Sequence, residues 1–169
     1  MTKENILYTH SFKSKIGTIR IASTSKGLAI LTLPGEPVQY FKDLLKKNYP
    51  NWKIERGGSI NKQVEKQIEK YLNGKLKKFS MKLDLQTTPF RKKALTEISK
   101  IPYGKTKTYG EIAKAIGNPK ASRAVGSANA TNKIPIIIPC HRVLASNGLG
   151  GYGGGLEMKK KLLKIEGAL

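Results

Sequence analysis

A single cysteine, Cys140, occurs in the 169 residues of the chain. One thiol cannot form an intrachain disulfide or a multi-cysteine zinc site, so neither can hold the fold together. Hydrophobic burial must do so, and 38% apolar residues suffice for one large domain or two small ones. A free thiol also favours a reducing, cytoplasmic compartment. The N-terminus has no signal-peptide pattern, and no apolar run is long enough to span a bilayer.

The surroundings of Cys140 allow two interpretations. An apolar run, Ile136-Ile137-Ile138-Pro139, leads into Cys140-His141-Arg142-Val143. Cys140 is either a small buried hydrophobe at the end of a strand or a thiolate nucleophile that His141 helps to form. The pair alone does not decide between them.

The charge of the chain points to a polyanionic partner. Lysine and arginine total 32 against 11 acidic residues, which gives a formal charge of +21. A lysine-rich solvated surface is the plainer explanation, but hyperthermophile surfaces are enriched in Lys and Glu together, and acids are scarce here. The imbalance therefore favours nucleic acid. No helix combines a basic face with an aromatic one, so a membrane partner is not expected.

The first half of the sequence predicts a small α/β domain over residues 1–86. Alternating apolar residues from Asn5 to Leu33, with a turn at Ser25-Lys26-Gly27, indicate an antiparallel meander. Helical spacing follows from Val38 and again from Lys62 to Leu72, with a short strand near Trp52 between them. His10 is isolated there and is interpreted as structural or exposed.

The second half, residues 87–169, predicts a mainly helical domain. Thr88-Pro89 is a helix start, and Thr108 followed by Glu111 is a capping box. Two short helices separated by the turn Gly117-Asn118-Pro119 form a helix-turn-helix candidate. The second of them, Ala121–Ala130, has mostly small side chains, which suit close approach of backbone to a groove.

Two further features of the second half point to a functional site. Five of the six residues of Gly150–Gly155 are glycines, and Tyr152 is the sixth. This segment fits no phosphate-loop pattern, and it is either a flexible loop or a wall against a flat ligand. Glu166 falls at the end of the last predicted helix, where the helix dipole disfavours an acid.

Together these motifs resemble those of the methylated-DNA–protein-cysteine methyltransferases, also called O6-alkylguanine-DNA alkyltransferases. The likeness covers the second half in the family's order. It rests on Pro139-Cys140-His141-Arg142-Val143, Ile101-Pro102-Tyr103-Gly104, Thr108-Tyr109, Gly117-Asn118-Pro119-Lys120, Arg123-Ala124-Val125-Gly126, Asn132, Gly150–Leu156 and Glu166-Gly167.

The resemblance implies a role for each matching residue. Cys140 would accept the alkyl group, His141 would act as its base through a water, Glu166 would orient the imidazole, and Asn132 would hold the preceding turn. Residues implied to bind the substrate base are Tyr109, Val143, Tyr152, Gly153 and Lys159, with carbonyls of Cys140 and Val143 accepting from its amino group. Residues expected to bind DNA are Arg123, which would fill the gap left by the flipped base, with Ser122, Ser127 and Asn129 on the same helix.

The implied fold is α+β, an antiparallel sheet with helices followed by a winged-helix-like domain that carries the helix-turn-helix. The implied function is DNA repair by direct damage reversal. The alkyl group of O6-alkylguanine, and of O4-alkylthymine, would move irreversibly from double-stranded DNA to Cys140, after base flipping. No cofactor or metal is expected, because Cys140 is the only cysteine and a zinc site seen in some relatives cannot form. A monomer is expected. The alternatives are a lesion-sensing DNA-binding protein without transfer, a cysteine hydrolase and a helix-turn-helix transcription factor.

Overall fold

The computed structural model describes residues 4–169, and the chain divides after Gln86 into two compact units. The first unit contains an antiparallel meander and two helices, and the second is mainly helical. The predicted α+β class is confirmed. No helix in the described part of the chain is both long and apolar enough to cross a membrane.

The sheet of the first unit has four strands in the order β3-β2-β1-β4. β1 (Ile6–Ser14), β2 (Gly17–Thr24) and β3 (Gly27–Thr32) form the antiparallel meander that the alternating pattern predicted. β4 (Lys53–Arg56) lies on the other side of β1 and runs parallel to it. The short strand predicted near Trp52 is therefore present, one residue later.

Two amphipathic helices cover the sheet. α1 (Val38–Asn48) buries Phe41 and Leu45 in a cluster with apolar residues of the strands. α2 (Ser59–Leu72) begins three residues before its predicted start and packs against β1, β2 and β3. His10 points to α2 and bonds through Nε2 to Glu65 at 3.0 Å, in agreement with a structural interpretation.

The second unit begins with α3 (Pro89–Ile98), whose first turn is capped as predicted by the Thr88 hydroxyl. β5 (Lys107–Thr108) leads directly into α4 (Tyr109–Ala115), and the Thr108 hydroxyl accepts from the Glu111 amide at 3.1 Å. A turn with Gly117 at φ 80° separates α4 from α5 (Ser122–Ala130). α3, α4 and α5 contact one another pairwise, as expected of a helix-turn-helix unit.

The last elements bring the cysteine segment beside the helix-turn-helix. β6 (Val143–Leu144) pairs in parallel with β5, so Val143 lies opposite Lys107 at the entrance to α4. The chain ends in α6 (Leu156–Ile165), which contacts the turn of Cys140 to Arg142.

The apolar run before Cys140 is not a strand but a tight turn. Ile136 is fully buried with φ 73°, a conformation that β-branched residues rarely adopt. The Ile138 amide donates to the Ile134 carbonyl at 3.0 Å, and the Asn132 side chain bonds to both segments of the turn. Asn132 Nδ2 donates to the Ile138 carbonyl, and Asn132 Oδ1 accepts from the Ile134 amide, each at 3.0 Å. The turn is thus held by one backbone hydrogen bond and by the two bonds of the Asn132 side chain.

Candidate active site

Cys140 opens a single 3-10 turn, Cys140–Arg142, between Pro139 and β6. Its amide donates to the Ile138 carbonyl at 2.8 Å, and the residue is only 4% exposed. The thiol is not part of a disulfide. Burial alone fits either interpretation of the sequence, so the neighbours of the sulfur decide between them.

The environment of the thiol both hinders and assists its ionisation. Burial raises the pKa of Cys140, and this is the largest effect. Hydrogen bonds from the side chains of Asn132 and Tyr152 oppose it, as does the positive charge of Lys159. The resting thiol is therefore mostly protonated at neutral pH, while the groups that would stabilise a thiolate are already in place.

His141 is hydrogen-bonded to a buried carboxylate. The imidazole is completely buried and its Nε2 lies 2.8 Å from Glu166 Oε1. Burial lowers the pKa of His141, and Glu166 opposes this, so the ring is neutral and can accept a proton. Because Nε2 is hydrogen-bonded to Glu166, any proton exchange between His141 and Cys140 must use Nδ1 of the imidazole.

Arg142 neutralises the same carboxylate. Its Nε donates to both oxygens of Glu166 at 3.1 and 3.0 Å, its Nη2 donates to Oε1 at 2.7 Å, and its Nη1 donates to the Ile101 carbonyl at 2.7 Å. No role for Arg142 was predicted from the sequence. An acid placed at a helix C-terminus required a cationic partner, and the arginine beside His141 was the available signal.

Lys159 ties the glycine-rich segment to the cysteine segment. Its side chain is fully buried, and Nζ donates to the carbonyls of Val143 at 2.7 Å, Leu149 at 2.5 Å and Gly151 at 3.1 Å. Three acceptors satisfy all three donors of the ammonium group. Burial lowers the pKa of Lys159 to about 8. The Val143 carbonyl was expected to accept a hydrogen bond from the amino group of the substrate base. It already accepts one from Lys159.

Tyr109 opens α4 and is half-buried beside the site. Burial raises its pKa, a hydrogen bond with the Asn129 side chain opposes this, and a charge on Cys140 would raise it further. Gly150 has φ 73°, and a Cβ there would lie 3.3 Å from the Tyr109 ring and hydroxyl. The glycine-rich segment therefore has backbone packed against an aromatic residue, as a wall of a pocket requires.

The remaining expected base-binding residues lie in the same segment. Tyr152 is partly buried and its hydroxyl reaches the Cys140 thiol. Gly153 is exposed, and a Cβ at this position would meet only the Ala130 carbonyl, at 4.0 Å. The structure leaves open space at Gly153, next to the C-terminal end of α5.

The four residues expected to bind DNA differ in their exposure to solvent. Arg123 and Ser127 lie on the exposed face of α5, and Ser122 is partly exposed. Asn129 differs from the prediction, because it is only 6% exposed and its Nδ2 donates to the Cys140 carbonyl at 3.2 Å. It follows Val125 and Ala128 at helical spacing, which places it on the buried stripe of the helix.

Asn129 thus connects α5 to Cys140 and Tyr109, and replacing it by leucine is expected to slow alkyl transfer. The change removes a donor from a buried carbonyl at a cost of about 1–3 kcal/mol, or roughly tenfold in rate. The transfer rate from alkylated duplex and the affinity for undamaged duplex measure the effect. We expect affinity within about twofold of wild type, and Ser127→Ala serves as the control on the exposed face. A loss confined to affinity would restore the DNA-binding role.

Both units match the same protein family in comparisons with known proteins. The ribonuclease-like domain of 6-O-methylguanine DNA methyltransferase matches residues 7–85, and the DNA binding domain of the same family matches residues 89–168. The methylated-DNA–protein-cysteine methyltransferase of Methanosarcina acetivorans is 45% identical over 163 residues, 96% of this chain and 99% of the relative. The inducible methylated-DNA–protein-cysteine methyltransferase of Bacillus subtilis is 36% identical over 98% of this chain and 93% of its own.

Solved structures give the same result. The crystal structure of Mycobacterium tuberculosis OGT in complex with DNA is 36% identical with a TM-score of 0.81, covering 94% of this chain and 92% of that one. The O6-methylguanine-DNA methyltransferase of Pyrococcus kodakaraensis is 29% identical with a TM-score of 0.68, covering 95% and 99%. The fold, the cysteine segment and both family matches lead to one conclusion: the chain belongs to the 6-O-methylguanine DNA methyltransferase family.

Proposed function

We propose that this protein repairs DNA by transferring the alkyl group of O6-alkylguanine, and of O4-alkylthymine, irreversibly to Cys140. One observation carries the proposal: the residue with the only thiol directly precedes His141, which forms a buried pair with Glu166, and the Cys140 carbonyl accepts a hydrogen bond from Asn129 of α5. A buried structural cysteine needs no such pair, whereas a thiol nucleophile needs a base and a group that orients it.

The proposed reaction balances with the groups present. His141, through a bridging water, takes the thiol proton, and the sulfur attacks the alkyl carbon. A carbon–sulfur bond forms as the bond between carbon and guanine O6 breaks. The guanine takes up one proton, for which the hydroxyl of Tyr109 is the proposed donor, and the proton that His141 has taken returns through solvent to the Tyr109 phenolate. The products are an S-alkylcysteine and unmodified guanine, and no metal or cofactor is needed.

The reaction is proposed to occur once per chain. A thioether, unlike an acyl-enzyme, contains no carbonyl that water can attack, and so Cys140 is not regenerated. The proposal includes a monomer that acts in the cytoplasm, where a reducing environment keeps the acceptor thiol free.

Duplex DNA is the proposed partner. The net charge of +21 supports binding to a phosphate backbone. The exposed face of α5 presents Arg123, Ala124, Ser127 and Ala130, a set of mostly small side chains that would allow the helix to approach a groove closely. The target base must leave the stack to reach a buried thiol, at a cost of a few kcal/mol.

Arg123→Ala is expected to slow repair of duplex more than reaction with the free alkylated base. The proposed role of Arg123 is to fill the space that a flipped base leaves, so its loss should cost roughly tenfold or more on duplex. Reaction with free O6-benzylguanine, which requires no flipping, should change by less than about twofold. Both rates are measured as loss of free thiol. An equal loss on both substrates would contradict the role.

The mass of the protein tests the proposed chemistry against its alternatives. After incubation with duplex containing O6-methylguanine, the chain should gain the mass of one methylene group, on the peptide that contains Cys140. A lesion-sensing protein or a transcription factor would bind DNA with no change in mass. A cysteine hydrolase would turn over an ester substrate repeatedly and return to its original mass.

A further inference from the structure

A cleft of about 660 Å³ lies on the sheet of the first unit, beside α1. Leu7 and Ala22 on this face of the sheet are covered by α1 through Phe41 and Leu45. Thr9 and Ser11 follow Leu7 at two-residue spacing on β1 and therefore share its face. Thr9 and Ser11 line the cleft, beyond the part of the sheet that α1 covers.

The walls of the cleft expose apolar side chains. Val38 at the start of α1 is 46% exposed, and Ile54 on the edge strand β4 is 54% exposed. Phe41 and Leu45, both buried, complete the apolar lining between them. Large exposed apolar side chains that share one concave surface are typical of a binding site.

Four cations surround this apolar lining. Lys42 and Lys46 are four residues apart on α1 and so lie on one face of the helix. In the register, Arg56 is opposite Thr9 and Arg20 is opposite Ser11, so both arginines point to the same face of the sheet.

These charges are not compensated within the first unit. Among residues 4–169, none of the four side chains makes an ion pair, and the lining contains no acidic side chain. Like charges four residues apart destabilise a helix. The arrangement therefore favours a ligand that brings negative charge, and the apolar walls favour one that also brings apolar groups.

We infer that this cleft binds an acidic peptide segment of another protein, with apolar side chains between its carboxylates. Apolar anchors would occupy the space between Val38 and Ile54, and carboxylates would pair with the surrounding lysines and arginines. A second copy of the chain is not suited, because no two of its 11 acids lie within three residues of each other and its net charge is +21. Single-stranded nucleic acid requires exposed aromatic rings for stacking, and Phe41 is only 7% exposed.

Fluorescence anisotropy with a labelled peptide tests the inference on the full chain. The probe is a synthetic ten-residue peptide in which aspartates alternate with leucine and phenylalanine. A second peptide replaces the apolar residues by serine and glycine, and a single-stranded oligonucleotide of equal charge is the third ligand. The variants are Lys42→Glu with Lys46→Glu, and Ile54→Ser. Lys62→Glu with Lys66→Glu is the matched control, because these lysines have the same spacing on α2 and are also exposed.

The inference predicts saturable binding of the first peptide, weakened on the order of tenfold by the α1 double variant and severalfold by Ile54→Ser. The α2 control should change affinity by less than about twofold, and alkyl transfer should be unchanged in all of these variants. If the two double variants weakened peptide binding equally, or if the peptide without apolar residues bound as tightly as the first, binding would depend only on overall charge. Either result would overturn the inference. Full displacement of the peptide by the oligonucleotide, or dimerisation of the chain through this cleft, would also overturn it.

Discussion

Glu166→Ala is expected to destabilise the second unit more than any other single change at the site. The carboxylate is buried and accepts three donor contacts from Arg142 and one from His141. Its removal leaves a buried guanidinium with no counter-charge, which typically costs about 3–5 kcal/mol. The midpoint of thermal unfolding should fall by roughly 10 °C, as measured by circular dichroism.

Glu157→Ala is the matched control for stability, because Glu157 lies in the first turn of α6, the helix whose C-cap is Glu166, and its side chain is 93% exposed. Its midpoint should stay within about 2 °C of wild type. If Glu166→Ala lowered the midpoint as little as Glu157→Ala, Glu166 would not be the counter-charge that Arg142 requires.

Glu166→Gln tests the chemical role of Glu166 in the fraction of the protein that stays folded. The amide keeps the shape of the side chain but lacks the negative charge that raises the pKa of His141 against the effect of burial. The pKa of His141 should therefore fall further, and the imidazole should become a weaker base. Transfer in the folded variant should slow by roughly 10²-fold or more, as expected for loss of general-base assistance. A normal rate in folded protein would exclude His141 as the base.

Lys159→Met is expected to have the second largest effect, chiefly on transfer. Methionine fills the space of the buried stem but leaves the carbonyls of Val143, Leu149 and Gly151 without their donor. Each loss costs about 1–3 kcal/mol, and the segment containing Leu149 and Gly151 is no longer held against β6. Transfer should slow by roughly tenfold or more. Lys161→Met, at an exposed position of the same helix, should leave the transfer rate unchanged.

The same variant has a predicted pH signature. Burial lowers the pKa of Lys159 from 10.5 to about 8 in the folded chain. Between these pH values the unfolded chain binds the proton and the folded chain has released it, so this group makes stability rise with pH. Lys159→Met lacks that contribution, and the stability of wild type relative to the variant should increase between about pH 8 and 10.5. A constant difference over this range would show that the pKa of Lys159 is not lowered.

Local patterns were sufficient to predict most of the fold. Alternation along β1, β2 and β3 predicted the meander, and capping residues Thr88 and Thr108 marked two helix starts that the structure retains. The parallel pairing of β4 with β1 could not be predicted, because a four-residue strand carries no signal for the direction of its partner.

The site was predictable as chemistry but not as geometry. The neighbouring Cys140 and His141 left both a nucleophile and a buried hydrophobe open. The roles of Cys140, His141 and Glu166 followed from the family resemblance. The resemblance implied a turn before Cys140, but its backbone conformation at Ile136 could not be predicted. A run of β-branched residues favours a strand, and only tertiary packing places one of them at φ 73°. Asn129 and Arg142 have polar side chains typical of a surface, and their inward orientation follows from helix phase and from a charge 24 residues away.

The stoichiometry of transfer tests the central claim most directly. Duplex DNA carrying radiolabelled O6-methylguanine, in excess over protein, is incubated to completion, and protein-bound label is counted for wild type and for Cys140→Ala. We predict a plateau of one methyl group per chain, all of it on the peptide containing Cys140, and no label on the variant. Repeated turnover that exceeds one lesion per chain, or label retained by Cys140→Ala, would contradict the account.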